Sequence, residues 1–449
     1  MNEALSKSKL FGIGGADGTV VAVGGWGQMA GRLLHTEMEA SASRVQLVLT
    51  VSGHGPFTAQ YGLGVDQYLE VKVVTADGKH LVCNKVSNPD LFWAIRGGGG
   101  GTFGVVVEAT LKVYREEEIF PMTAMTFWVK STSYLPSKLY EPTQYLLNQL
   151  PALYDKGISG YFLPIIGNIR GLAMHPNADV ATVNALWKPI LEKLQSYPTM
   201  QPFQSKPLVF DNFTQFYTAA FGTWESHFTK TTYLKDAPSN MGVVPMESWF
   251  LKKEHIQGQK FIDAMGGTNG LATFLLVQPH PKLGNGNDTS THPGWRDAAI
   301  YSTGFKIPGV TNFESFRKLN PAPQGGAYSC ECNAEVPNWQ ESFWGSNYPK
   351  LAQIKTQYDP SGLFWTTPGI NAEQWEVKSG RVCKVNGKPV AVAPTAVAPT
   401  TDDATSAHWL LNRKTILGSF QLIEKAPPSS SYLGLQPTAV PAVPYSLPI

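Results

Sequence analysis

Residues 88–107 read NPDLFWAIRGGGGGTFGVVV: a helix, a glycine run and a strand in twenty residues. Leu91, Phe92, Trp93, Ala94 and Ile95 make an aromatic-apolar helix that runs into Arg96 and five consecutive glycines, Gly97 to Gly101. Thr102, Phe103 and Gly104 follow, and the β-branched Val105, Val106 and Val107 leave as a strand. Glycine lets backbone come within contact distance of a ligand and reach positive φ. Successive bare N–H groups then form a concavity suited to anions, phosphate oxygens above all. The competing reading is a flexible glycine linker. A Trp-bearing helix on one side and an apolar strand on the other argue against it.

Working outward, 449 residues hold two or three domains on length alone. Hydrophobic residues at 43% and aromatics at 11% supply a real core. Charged residues at 16%, with 43 Gly and 33 Pro, indicate many loops. The formal net charge is +2, so nothing calls for a nucleic acid or an anionic membrane as partner. No apolar stretch is long enough to span a bilayer, and the start, MNEALSKSKLFGIGGADG, lacks the apolar core of a secretory signal. Cys83, Cys330, Cys332 and Cys383 make no disulfide framework, and the single residue between Cys330 and Cys332 fits neither a zinc knuckle nor a redox pair. No metal site is expected.

Four regions separate. Residues 1–117 alternate glycine turns with short β-branched runs; residues 68–75 and 79–83 flank Ala76-Asp77-Gly78 as a hairpin. Within this region, residues 29–51 neither continue the glycine pattern nor carry turn chemistry: a helix and a strand, or an insertion. Residues 118–324 mix helical patterns (142–150, 180–197) with strand-like runs (123–130, 271–278), which predicts an α+β second domain with an antiparallel sheet. Residues 325–385 return to short motifs, with helices expected over 338–346 and 349–358 and a stop at Asp359-Pro360. Residues 386–449, rich in Pro, Ala, Thr and Ser, read as a disordered tail.

A second glycine constellation, Ser52-Gly53-His54-Gly55-Pro56, precedes Tyr61-Gly62-Leu63-Gly64-Val65-Asp66. It offers backbone donors and an imidazole able to donate to an anionic or carbonyl oxygen. Alone it reads better as a tight turn with a solvated histidine. The series changes the balance: GHG, YGLGVD, VVTADG, NPDLFWAIRGGGGGTFGVV and YDPSGLF occur in one order on one chain.

That series resembles the FAD-dependent oxidases of the vanillyl-alcohol oxidase superfamily, in the berberine-bridge-enzyme-like branch with its many fungal members. The resemblance spans roughly residues 10–28 and 52–385. It implies an α+β fold: a partial PCMH-type FAD-binding domain, a substrate domain of antiparallel sheet and helices, and a C-terminal berberine-bridge-type segment closing on the flavin. Carried over, Gly53, His54 and Gly55, with Gly62 and Gly64 of the next turn, would face the cofactor. Gly100, Gly101, Thr102, Phe103, Gly104 and Val105 would hold the diphosphate and adenine through backbone groups. Asn347 and Tyr348 would approach the isoalloxazine.

Two departures follow from the same resemblance. The family's first subdomain, with its flavin-linking His, has no counterpart, and Asp17 stands where some members carry a linking Cys; FAD is therefore expected to be held noncovalently. In addition, joining Gln28 directly to Ser52 would restore the family pattern. Residues 29–51 would then be a retained intron, which sequencing of the spliced transcript would decide.

The chemistry implied is hydride transfer from an alcohol, sugar or secondary metabolite to flavin N5, with dioxygen as acceptor and hydrogen peroxide as product. The base candidates are Tyr328 and Glu331, placed on one strand with alternate facing. A tyrosine would need its pKa lowered by a positive neighbour, whereas burial would raise a glutamate to a useful value. Otherwise Tyr328 packs and Glu331 pairs with a surface lysine. Trp339, Phe343 and Trp344 read as one buried helix face, Cys83 as a small buried hydrophobe, and residues 292–296 as a turn entering a helix. The alternative to an oxidase is an inactive remnant of the fold that does not retain FAD.

Overall fold

A computed structural model describes residues 10–11, 54–165, 167–221, 246–283, 286–378 and 381–385. The residue 29–51 segment, the 386–449 tail, Asp17 and Gly53 lie outside the described residues. The chain divides into one unit of Met1–Lys384 with Tyr445–Ile449 and another of Val385–Pro444; the elements below belong to the first.

After β1 (Leu10–Phe11) come β2 (Tyr68–Val74) and β3 (His80–Asn84), the expected hairpin. Asp77 Oδ1 accepts from Thr75 Oγ1 at 2.6 Å, and Gly78 takes φ 78°, the positive value the turn demands. Helix α1 (Pro89–Ile95) begins on proline at its first turn and buries Leu91 to Ile95. The glycine run then delivers β4 (Val105–Leu111) to the other edge of β2, in the order β3-β2-β4. β5 (Tyr114–Arg115) pairs with β1.

The second sheet has seven strands: β6 (Met122–Lys130), β7 (Ser159–Ile165), β8 (Asn168–Pro176), β9 (Gln204–Phe210), β10 (Met246–Leu251), β11 (Ala272–Leu276) and β12 (Ile300–Phe305). Their order is β10-β12-β11-β7-β8-β6-β9, antiparallel throughout, so the α+β expectation holds. Helices α2 (Tyr140–Tyr154) and α3 (Val180–Gln195) carry the core. In α3, Val183, Trp187, Ile190, Leu191 and Leu194 recur at helical spacing and are buried, with Trp187 against Phe127 of β6 at 5.1 Å between ring centroids. Asp179 caps this helix by accepting from Thr182 N at 2.7 Å. The pattern ended α2 at residue 150, before Pro151. The helix continues because Leu153, one turn on, is buried, and that packing outweighs the hydrogen bond proline forfeits. Helix α4 (Gly258–Gly266) buries Phe261 and Met265.

Strand β10 lies at the sheet edge, and the C-terminal segment covers it. Phe250 N donates to Gly326 O at 2.8 Å and Asn333 N to Met246 O at 2.8 Å. Helices α5 (Trp339–Trp344) and α6 (Tyr348–Tyr358) follow, close to the expected spans, then the pair β13 (Trp375–Lys378) and β14 (Arg381–Lys384). Phe343 and Trp344 are buried in the core and Trp339 packs against it, while Cys83 is fully buried within β3, its thiol pushed up to about 12 by burial and then by the charges of Asp90 and Glu70.

Candidate functional site

The two glycine motifs meet one wall. Residues 286–297 form a strap that passes from the pentaglycine bend to the GHG turn. At one end Ser290 N donates to Arg96 O at 2.9 Å and Ser290 Oγ to Ala94 O at 3.0 Å. A Cβ on Gly97 would lie 2.3 Å from Thr291 N, so only glycine permits this backbone contact. At the other end the Trp295 ring stands 5.7 Å from that of His54. The YGLGVD turn is tied to the same strap: Arg296 Nη1 and Nη2 donate to the two carboxylate oxygens of Asp66 at 2.8 and 2.6 Å. The 292–296 stretch is the expected turn into a helix, Gly294–Asp297, with a further use as this tether.

The glycine run itself divides in two. Gly97 and Gly98 are packed by protein: their N–H groups bond Ile95 O and Ala94 O, Trp344 Nε1 donates to Gly97 O at 3.0 Å, and Phe103 and Leu351 press on Gly98. Gly100 is buried, whereas Gly101, at φ 64°, is exposed with nothing within 4 Å of its Cβ position. Thr102 is buried and its Oγ1 has no hydrogen-bond partner among the described residues. Phe103 is a core residue, and Gly104 and Val105 press against β2, with Val105 opposite Val74. The open part of the concavity is thus at Gly101, beside Thr102. Lys355 of α6 reaches in from behind, Nζ donating to Thr102 O at 2.5 Å while pairing with Asp359 at 2.6 Å.

Gly62 and Gly64 serve their own turn. Gly62 takes φ 92° because the Asp66 carboxylate occupies the place of a Cβ, at 2.6 Å, and Gly64 opens the short helix Gly64–Gln67. Gly55 N donates to Thr58 Oγ1 at 2.7 Å. Asn347 Nδ2 donates to Thr291 O at 2.8 Å and so joins the strap. Tyr348 points its hydroxyl at Glu373 Oε2, 2.7 Å away, and burial with that carboxylate pushes its pKa far up.

His54, 6% exposed, is surrounded by the rings of Tyr301 at 5.5 Å and of Trp295 and Tyr328 at 5.7 Å. Its Nε2 lies 3.2 Å from Glu331 Oε1, and Tyr301 Oη donates to Glu331 Oε2 at 2.7 Å. The anionic oxygen expected opposite this imidazole is therefore one of the protein's own. Tyr328 and Glu331 do not alternate on a strand. Residues Ser329–Glu331 form a 3₁₀ turn closed by Glu331 N to Tyr328 O at 2.9 Å, and positions three apart in such a turn share a face. Both side chains consequently meet His54. The pKa expectation for Glu331 is also reversed. Burial raises it, but the adjacent His54 and the hydrogen bonds from His54 and Tyr301 outweigh burial and hold it below its ordinary value. Burial, then the Glu331 charge, pushes the Tyr301 hydroxyl well up, so it remains a donor.

His292, 1% exposed, accepts from Gly294 N at Nδ1 (2.8 Å), and burial lowers its pKa to about 4. Its Nε2 is enclosed by protein, close against the backbone of Gly325, Gly326 and Glu341. Tyr301, Trp295, Arg296 and Lys355 escape a sequence reading because their partners are distant along the chain; only the Lys355–Asp359 pair carried a local signal, its (i, i+4) spacing.

Buried Thr102 Oγ1, at the open end of the pentaglycine bend, lacks a hydrogen-bond partner among the described residues. A polar atom left unsatisfied beside exposed Gly101 fits a polar cofactor group seated at the bend.

Comparison with known proteins agrees. Residues 327–371 match the family model "Berberine and berberine like". The chain is 29% identical to the FAD-linked oxidoreductase apf9 of Gibberella fujikuroi, over 85% of this chain and 65% of that protein. It is 29% identical to the VAO-type flavoprotein oxidase VAO615 of Thermothelomyces thermophilus, over 74% of this chain and 59% of the relative. It therefore spans about three fifths of the length of these curated relatives. Its fold superposes on the crystal structure of the VAO-type flavoprotein MtVAO713 from Myceliophthora thermophila C1 with a TM-score of 0.67 at 23% identity, covering 85% of this chain and 67% of that one. The chain thus carries a berberine-like segment, is similar in sequence to FAD-linked oxidoreductases, and shares its fold with a VAO-type flavoprotein.

Proposed function

We propose that this protein is an FAD-dependent oxidase that takes a hydride from an alcohol, a sugar or an alcohol-bearing secondary metabolite and uses dioxygen as acceptor. One observation carries the reading: a single strap, residues 286–297, contacts both the pentaglycine bend at Thr291 and the GHG turn at Trp295. FAD, when bound, supplies the hydride acceptor and passes its electrons to dioxygen, which leaves as hydrogen peroxide. Gly100, Gly101 and Thr102 would hold the diphosphate, with Asn347 and Tyr348 on the C-terminal side. Lys355 fixes the Thr102 carbonyl and so sets the shape of the bend. The proton acceptor falls within the His54, Tyr328 and Glu331 cluster, which aromatic rings line. In this reading residues 1–117 and 325–385, together with the strap at 286–297, serve the flavin, and the rest of residues 118–324 the substrate. Attachment is noncovalent, on the strength of Asp17 standing at a linking-Cys position.

The test is the purified full chain. Yellow protein that yields its flavin to the supernatant on acid precipitation, and produces peroxide with a member of a panel of oligosaccharides and aromatic alcohols, is expected. Colourless protein that takes up no added FAD would overturn the reading.

A further inference from the structure

We infer that His54, oriented by Glu331, presents Nδ1 as the acceptor for the proton of a substrate hydroxyl, so that the imidazole and not the carboxylate is the base. This rests on the oxidase reading above. A carboxylate only accepts, so the 3.2 Å contact requires the proton of a neutral imidazole to sit on Nε2. Nδ1 is then a bare lone pair, in a residue 6% exposed, with no hydrogen-bond partner among the described residues. Such an acceptor carries a desolvation cost that a hydroxyl donor removes.

Two further features fit the assignment. Glu331 is held on both sides, by His54 at one oxygen and by Tyr301 at the other, 2.7 Å away, so the carboxylate cannot swing toward a substrate without breaking a bond. The rings of Trp295, Tyr301 and Tyr328 surround the imidazole and hold it in place. A carboxylate that holds the tautomer and compensates the charge formed, without taking the proton itself, is the established division of labour in carboxylate–imidazole pairs. In the step, the hydroxyl O–H bond breaks as its proton joins Nδ1. The carbinol hydrogen leaves with its electron pair to the oxidant, FAD, and the C–O bond becomes a carbonyl. Glu331 and Tyr301 are positioning residues.

The decisive measurement is ring-¹⁵N histidine NMR of the full chain at neutral pH, with the His54 signals identified by their loss in His54→Gln. Nε2 protonated and Nδ1 bare is expected, with a mixture of tautomers in Glu331→Ala. Nδ1 protonated, alone or together with Nε2, overturns the proposal. Kinetics with the best alcohol of the panel add a second reading. His54→Gln should lower kcat by roughly 10²–10⁴-fold with KM and flavin content unchanged, and Glu331→Gln, whose amide oxygen still accepts from Nε2, by less. A larger loss in Glu331→Gln with the tautomer intact would make Glu331 the base. Flavin-free wild-type protein would overturn the oxidase reading, while the tautomer still decides the arrangement at His54.

Discussion

Lys355 Nζ lies 2.6 Å from Asp359 Oδ2 in the interior, the two side chains 3% and 0% exposed. Its other donors reach Thr102 O at 2.5 Å and Phe364 O at 3.1 Å, so every N–H of the ammonium is used. Lys355→Met leaves a buried carboxylate without its cation and frees the glycine bend. A loss of about 3–5 kcal/mol is expected, read by urea unfolding; a loss below about 1 kcal/mol would show the pair to be idle.

Gly97 and Gly101 should respond differently to alanine. At Gly97, φ is 134° and the added methyl meets Thr291 N at 2.3 Å, so strain and overpacking combine. At Gly101, φ is 64° with nothing within 4 Å, leaving the backbone cost alone, about 1–2 kcal/mol. Thermal unfolding should rank Gly97→Ala well below Gly101→Ala, and the reverse ranking would contradict the packing described for the strap.

The Asp66–Arg296 pair is bidentate and partly buried, at 17% and 9% exposure. A double-mutant cycle with Asp66→Asn and Arg296→Lys should give a coupling of about 0.5–3 kcal/mol. Lysine cannot reproduce the two-pronged contact. Additive effects would mean that the fork does not tie the YGLGVD turn to the strap.

Stability should fall with acid in a defined window. Glu331 and Asp359 are both held below ordinary carboxylate values: burial opposes this in each, and hydrogen bonds, from His54 and Tyr301 in one and from Lys355, Phe364 N and Leu363 N in the other, overcome it. A lowered folded pKa contributes stability that is fully present above the unfolded value, about 4, and is lost as pH falls through the folded one. Urea midpoints should be level from about pH 5 to 7 and drop below about pH 4. Asp359→Asn combined with Glu331→Gln should start lower and drop less steeply; an unchanged slope would remove these two groups from the account.

Local chemistry was the legible part of the sequence. Asp77-Gly78 named its hairpin, and the apolar spacing of residues 180–194 named its helix, because turn geometry and amphipathic periodicity are written within a few neighbours. The two glycine motifs were recognisable, yet their contact was not: Gly97 meets Thr291 and His54 meets Trp295 across almost two hundred and more than two hundred positions, with no periodicity to announce either. The 3₁₀ turn at Ser329–Glu331 misled for a related reason. Three residues are too few to show a period, so alternation and eclipse look alike until Glu331 N is seen bonded to Tyr328 O. Asp359 read as a helix stop and is one, but it also holds Lys355 and the amides of Leu363 and Phe364.

Because residues 286–297 clasp both glycine turns, the two cannot open on separate clocks. Lifting the strap breaks Ser290 to Arg96, parts Thr291 from Gly97 and draws Trp295 from His54 as one event. Any guest that must touch both turns therefore enters and leaves at a single frequency, set by how often that short length of chain breathes.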